Sequence, residues 1–231
     1  MTTLMRIPYD MPFTRVELIL LALQDSQLQV LLAKRSEAPH KGRWAIPGGV
    51  LRIDMDQSLD GALRRVALER LNCIVPVPIQ LCAVGGPKRD LERSTWALSV
   101  VYRASVDPLT FTVSAGKRIE QLKWFPISLI DQTREIAFDH SALVQKAVVQ
   151  LRQDISELKY PEGLLPNEFT LGELQHLSEL VLARRLDKSS FRRRIAERDL
   201  VEKIAGSMRT GANRPAQLYR IKNLPSFNHS V

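Results

Sequence analysis

The chain has 231 residues, 45% of them hydrophobic, enough for a buried core in one large domain or two modest ones. No stretch reaches the roughly 18 consecutive apolar residues of a membrane span, residues 1–13 lack a signal-peptide pattern, and Cys73 and Cys82 suggest neither a disulfide framework nor a zinc site, so a reducing cytoplasm is the expected location. The net charge of +8 is localised: residues 184–222 hold 12 Lys and Arg against 4 Asp and Glu, an excess equal to the whole, which points to a polyanionic partner for that region.

In chain order, residues 1–13 carry Pro8 and Pro12 without periodicity and read as an irregular lead-in. Residues 16–23 read as a buried strand and 27–34 as its hairpin partner across Gln24-Asp25-Ser26. After a polar loop, Trp44-Ala45-Ile46 is a short strand entering a tight turn at Pro47-Gly48-Gly49. Ser58 suits the N-cap of a helix over residues 59–71, with Ala62, Val66 and Leu68 to Leu71 making it apolar enough to pack and Asn72 suited to the left-handed position that ends it. Strands are expected over 79–85, 95–106 and 117–125, the first two joined through a turn at Gly85-Gly86-Pro87-Lys88-Arg89-Asp90. Strands around one early helix fit an α/β/α sandwich. Cys73 and Cys82 both lie in apolar runs and read as core thiols.

From Ser141 onward, Leu143, Val144, Ala147, Val148, Leu151 and Ile155 form a helical stripe, with Asp139 or Ser141 as its cap. Pro161-Glu162-Gly163-Leu164-Leu165-Pro166 then breaks the chain, giving expected domains of 1–160 and 161–231, the second with a short disordered tail. Thr170 caps a helix to residue 182, Asp187 caps another over 188–198, and strands over 200–204 and 216–221 follow around a Gly- and Arg-rich loop, which together make a winged helix-turn-helix. Phe191 and Ile195 fix the inward side of the second helix, so rotation places Ser189, Ser190 and Arg193 outward with Arg192 and Arg194 on its flanks. Small polar groups with one Arg suit base edges, and flanking cations suit phosphates. Lys188 at the helix start and Arg209 and Arg214 in the wing complete the candidate duplex-DNA contacts.

Gly49, Gln57, Arg65, Val66, Glu69, Arg70 and Asn72 follow, with substitutions, the Nudix pattern of a Gly, five residues, a Glu, seven residues and then Arg-Glu-aliphatic-x-Glu-Glu-x-Gly-aliphatic. In that pattern carboxylates spaced three and four apart share one helix face and hold Mg²⁺ against a diphosphate. Here Gln57, Val66 and Arg70 stand at Glu positions, Gln57 is separated from Gly49 by seven residues rather than five, and Glu69 survives. The stretch resembles a Nudix box without most of its metal ligands, so no catalytic residue, metal or cofactor is expected. Arg70 and Arg64 instead suit a ligand diphosphate, since guanidinium pairs with phosphate oxygens in a bidentate way. Arg43, Lys88 and Arg89 are further ligand candidates beside strand ends. Trp44 is a candidate ligand platform or a core residue, and His140 reads as a capping or packing residue.

Together with the winged helix, Gly42-Arg43-Trp44-Ala45-Ile46-Pro47-Gly48-Gly49, Ala137-Phe138-Asp139-His140, Leu186-Asp187-Lys188-Ser189-Ser190-Phe191-Arg192-Arg193 and Asn213-Arg214-Pro215-Ala216-Gln217-Leu218-Tyr219-Arg220 resemble the Nudix-related transcriptional regulators of the NrtR family. The resemblance runs from Val16 to Ile221. It implies a homodimeric bacterial repressor on a palindromic operator, whose Nudix domain senses a nucleotide-like metabolite, commonly ADP-ribose in NAD metabolism. The competing expectation is a nucleoside-diphosphate hydrolase with an accessory nucleic-acid-binding domain. A third, an RNA-binding module, is poorly served by a basic region whose only aromatics are Phe191 and Tyr219.

Overall fold

The computed structural model describes residues 11–87, 89–90, 94–210 and 215–222. β1 (Phe13–Gln24) and β2 (Gln27–Arg35) form the expected antiparallel hairpin, closed by Asp25 and Ser26. Both turn residues have positive φ, as a two-residue hairpin turn matched to strand twist requires. β1 is central: β2 lies on one side and β6 (Ala97–Ser105) runs parallel on the other, in a seven-stranded sheet that also holds β3 (Trp44–Ala45), β4 (Gly48–Val50), β5 (Ile79–Gly86) and β7 (Ile119–Pro126). Both faces are covered, so β1 reads as a continuous apolar run rather than an alternation. Val16, Leu18, Leu20 and Ala22 pack toward α1 (Leu59–Leu71), while Ile19 and Leu21 pack toward α2 (His140–Ser156). This is the α/β/α sandwich.

The local signals of α1 act as expected. Ser58 accepts a hydrogen bond from the Gly61 amide, and Asn72 sits at φ 51°, its amide donating to the Leu68 carbonyl. Leu68 itself is 59% exposed, so the packing face is Ala62, Leu63, Val66, Ala67 and Leu71. A second correction concerns Gly48 and Gly49, which form β4 rather than a tight turn and pair antiparallel with Glu17 and Val16. The requirement there is close approach: a Cβ on Gly49 would lie 2.7 Å from Val66 Cγ2. The α2 stripe is buried against the sheet, yet neither expected cap serves it. Asp139 occupies the N-cap position but its carboxylate is taken by Arg89, and Ser141 Oγ donates to Asp131. Cys73 is buried, which pushes its thiol up to about 11, whereas Cys82 is only half-buried on β5.

In the C-terminal region Thr170 and Glu173 form a reciprocal capping box at the start of α3 (Leu171–Leu182). Ala183 turns the chain at φ 54°, and Asp187 accepts from the Ser190 amide to start α4 (Lys188–Glu197). β8 (Val201–Arg209) and β9 (Ala216–Ile221) form the wing, and Tyr219 of β9 also bridges to Phe169. β8 extends to Arg209, beyond the expected residue 204, because a bulge between Lys203 and Met208 interrupts its pairing without ending it. Gln217 Nε2 donates to the Ile204 and Ser207 carbonyls released there. One buried cluster joins Ile19 and Leu21 through Leu151 and Ile155 to Leu174, Val181, Phe191 and Ile195, so the sheet and the helix-turn-helix share a core. Among the described residues no helix is long and apolar enough to cross a membrane.

Candidate ligand cleft and DNA-binding surface

An open cleft lies where β1, β2 and β4 meet the end of α1. Arg15, Lys34, Arg35, Arg70 and Arg118 line it, against Glu37 as the acid among its described lining residues. Arg70 is the deepest consequence of the altered box. Its Nε donates to the Gly48 carbonyl at 3.1 Å and its Nη1 to the Lys117 carbonyl at 2.9 Å, so the cation is held by neutral acceptors. Burial pulls its pKa below the usual guanidinium value, and Arg118, Arg15 and Arg65 act in the same direction against Glu69. Such a site is stabilised by an incoming anion.

The other box positions engage neighbouring residues. Val66 is 1% exposed beneath Gly49, an apolar contact where the Nudix pattern has a carboxylate. Arg65 forks onto Asp56 at 2.7 Å through both Nε and Nη2, donates to the Val50 carbonyl, and lies 3.5 Å from Glu69. Glu69 is therefore an ion-pair partner on its helix. Among the described residues no group of three or more His, Cys, Asp or Glu is placed to hold a metal.

Behind the cleft, Glu17 is 2% exposed and gathers three partners: Arg15 Nε at 3.4 Å, Arg89 Nη2 at 3.2 Å and His140 Nε2 at 3.5 Å. His140 Nδ1 accepts from the Ile46 amide at 3.0 Å, which places the ring proton on Nε2, facing Glu17. Arg89 also forks onto Asp139 at 2.9 and 3.0 Å and donates to Ser99.

The sequence-derived ligand candidates separate on this geometry. Arg70 lines the cleft, and Arg89 belongs to the charged network beside it. Arg64 and Arg43 are exposed and outside the cleft lining. Trp44 is 9% exposed, edge-on to Phe125 at 4.8 Å within the core. Lys88 lies outside the described residues. Arg15, Lys34, Arg35 and Arg118 escaped sequence reading. Arg15 and Glu17 did carry a signal, as charges two apart on one face of a strand otherwise apolar, but Arg118 reaches the cleft from a loop with no local pattern.

On the C-terminal side, Lys188, Ser189, Ser190, Arg192, Arg193 and Arg194 are all exposed on α4, while Phe191 and Ile195 are buried, as the helical rotation requires. Arg193 lies 3.7 Å from Glu197, a loose pair on the outward face. Arg194 instead donates to the Ser156 carbonyl at 2.7 Å. Arg209 ties the wing to the start of α3 through the Glu168 carbonyl at 3.2 Å and Glu173 at 3.1 Å. Arg214 lies outside the described residues.

Comparison with known proteins matches both halves. Residues 14–147 match the NUDIX domain family, and residues 162–221 match the NrtR DNA-binding winged helix domain. The chain is 34% identical over 212 residues to the ADPR-responsive transcriptional repressor NtrR of Acinetobacter baylyi, covering 92% of this chain and 83% of that protein. The crystal structure of Shewanella oneidensis NrtR complexed with a 27mer DNA superposes with a TM-score of 0.75 at 34% identity, over 90% of this chain and 93% of that one. The NUDIX domain of the same Shewanella protein, in complex with ADP ribose, gives a TM-score of 0.57 at 30% identity, over 62% and 90% of the two chains. With both domains matched in order and this identity sustained over almost its whole length, the chain belongs to the NrtR family of Nudix-related transcriptional regulators.

Proposed function

We propose that this protein is a transcriptional repressor that binds duplex DNA through residues 161–231 and senses ADP-ribose, or a closely related nucleotide diphosphate, through residues 1–160 without hydrolysing it. The observation that carries the reading is Arg70: a half-buried guanidinium, anchored on the Gly48 and Lys117 carbonyls, occupies the box where a metal-binding Glu would stand. A diphosphate brings negative charge to Arg70, which those two neutral carbonyls hold, directly rather than through Mg²⁺. The named relatives support ADP-ribose as the ligand and repression as the output. NAD metabolism is the corresponding regulated process.

The test is calorimetric titration of ADP-ribose into the full chain, with Mg²⁺ turnover followed in parallel. Arg70→Glu should abolish ligand binding while leaving DNA binding of the free protein intact; unchanged affinity in that variant would remove Arg70 from the site. Turnover near the typical enzymatic 1 s⁻¹ or above, lost in Glu69→Gln, would overturn the non-catalytic reading. The working form is a homodimer, because a two-fold operator requires a two-fold protein. Light scattering should give twice the chain mass; a monomer both free and on DNA would contradict this.

A further inference from the structure

We propose that α2 transmits the ligand state of the cleft to α4, its first turn reading the cleft through Glu17 and its last turn holding Arg194. This rests on the ligand reading above and adds the route by which the ligand is felt.

The input lies at the start of the helix. Arg15 lines the cleft and pairs with Glu17 at 3.4 Å, so a ligand phosphate and Glu17 compete for one guanidinium. A carboxylate 2% exposed is costly to leave short of partners. Its remaining partners are Arg89 and His140, and each is fixed to the beginning of α2: Arg89 grips Asp139, the N-cap residue, and His140 is the first helical residue. The Nδ1 of His140 also accepts from the amide of Ile46, a residue of the cleft wall. Loss of Arg15 therefore changes the balance of bonds around one helix end.

The output lies at the other end. Arg152 Nε donates to the Val181 carbonyl of α3 at 3.0 Å, and Arg194 of α4 donates to the Ser156 carbonyl at 2.7 Å, where the helix dipole favours a cation. Just beyond, Tyr160 and Ser178 share a hydrogen bond of 2.7 Å. A phosphate and the Ser156 carbonyl thus compete for Arg194 as ligand and Glu17 compete for Arg15. A rigid helix bonded at both ends lets either competition bias the other, provided the ligand binds the two arrangements with different affinity.

Hydrogen exchange on the full chain, with saturating ADP-ribose as the probe, tests this. In the wild type, ligand should change exchange both in the cleft and in residues 153–160 and 188–198. Asp139→Asn, which loosens Arg89 from the N-cap of α2 at the input, and Arg152→Gln, which removes its hydrogen bond to α3 at the output, should keep the cleft response while the distal response falls by about fivefold or more, the lower end of usual coupling effects. Two variants at opposite ends keep the test intact if one fails to fold. A distal response undiminished in the folded variants, or a wild-type response confined to the cleft, would overturn the coupling alone. Absence of any cleft response would overturn the ADP-ribose reading and this inference with it.

Discussion

Glu17 is the buried acid on which Arg15, Arg89 and His140 converge. Burial by itself would raise its pKa; the opposing contributions of His140, Arg15 and Arg89 are together larger and hold it well below the usual carboxylate range. Because His140 Nδ1 accepts from a backbone amide, the ring acts as an Nε2–H donor, and the two Arg residues supply the positive charge. The folded-state value thus lies below the unfolded one, about 4.3 for Glu. Its stabilising contribution is complete above that pH and is lost as pH falls through the folded-state value. Glu17→Gln should cost about 3–5 kcal/mol at neutral pH, the usual effect of breaking a buried pair. In urea melts the gap to wild type should narrow as the solution is acidified below about pH 4, where the wild-type carboxylate begins to lose its advantage. A gap constant with pH would mean that packing, rather than charge, sets the cost. The residue types at 15 and 17 were plain in the sequence, but Arg89, which pairs with Glu17, is far along the chain and only the tertiary fold brings it close.

At the scale of elements, α4 follows most directly from its own residues. Asp187 caps it, Phe191 and Ile195 anchor it, and the exposed face is what remains. Arg192→Ala should weaken specific and random duplexes alike and reduce the log–log salt slope by about 0.9, as loss of one phosphate contact does. Arg193→Ala should cost about 1–3 kcal/mol on the specific site and relax sequence preference. Binding titrations across a salt series distinguish the two; uniform weakening by Arg193→Ala would place it on phosphate. Arg194 and Arg209 were legible as cations near DNA-facing elements but not as side chains already engaged with Ser156 and Glu173. Those partners come from other elements, and periodicity within one helix is blind to them. The same limit explains β4: two glycines read locally as a turn, whereas the sheet uses the missing Cβ of Gly49 to bring β4 over Val66.

The whole molecule is organised by α2. Its stripe of Leu143, Val144, Ala147, Val148, Leu151 and Ile155 packs under the sheet, and the same buried cluster continues into Leu174, Val181, Phe191 and Ile195. Domains that share a core unfold together, since melting one exposes the apolar face of the other. Calorimetry of the full chain should therefore show one transition with equal calorimetric and van't Hoff enthalpies. Two separated transitions would mean that the shared cluster contributes little to stability.

The sequence by itself determined the order of the main elements, the caps of α1, α3 and α4, the altered Nudix box and the position of the basic winged helix. Each of these depends on residues close together in the chain: Ser58 and Asn72 at the ends of α1, Thr170 and Asp187 before α3 and α4. Tertiary structure alone decided which cations share the cleft, what the substituted box residues touch, and that α2 spans from Glu17 to Arg194. Those facts depend on side chains drawn together by the parallel pairing of β1 with β6 and by burial of α2 beneath the sheet. Contacts of that kind join residues far apart in sequence, and no local spacing records them.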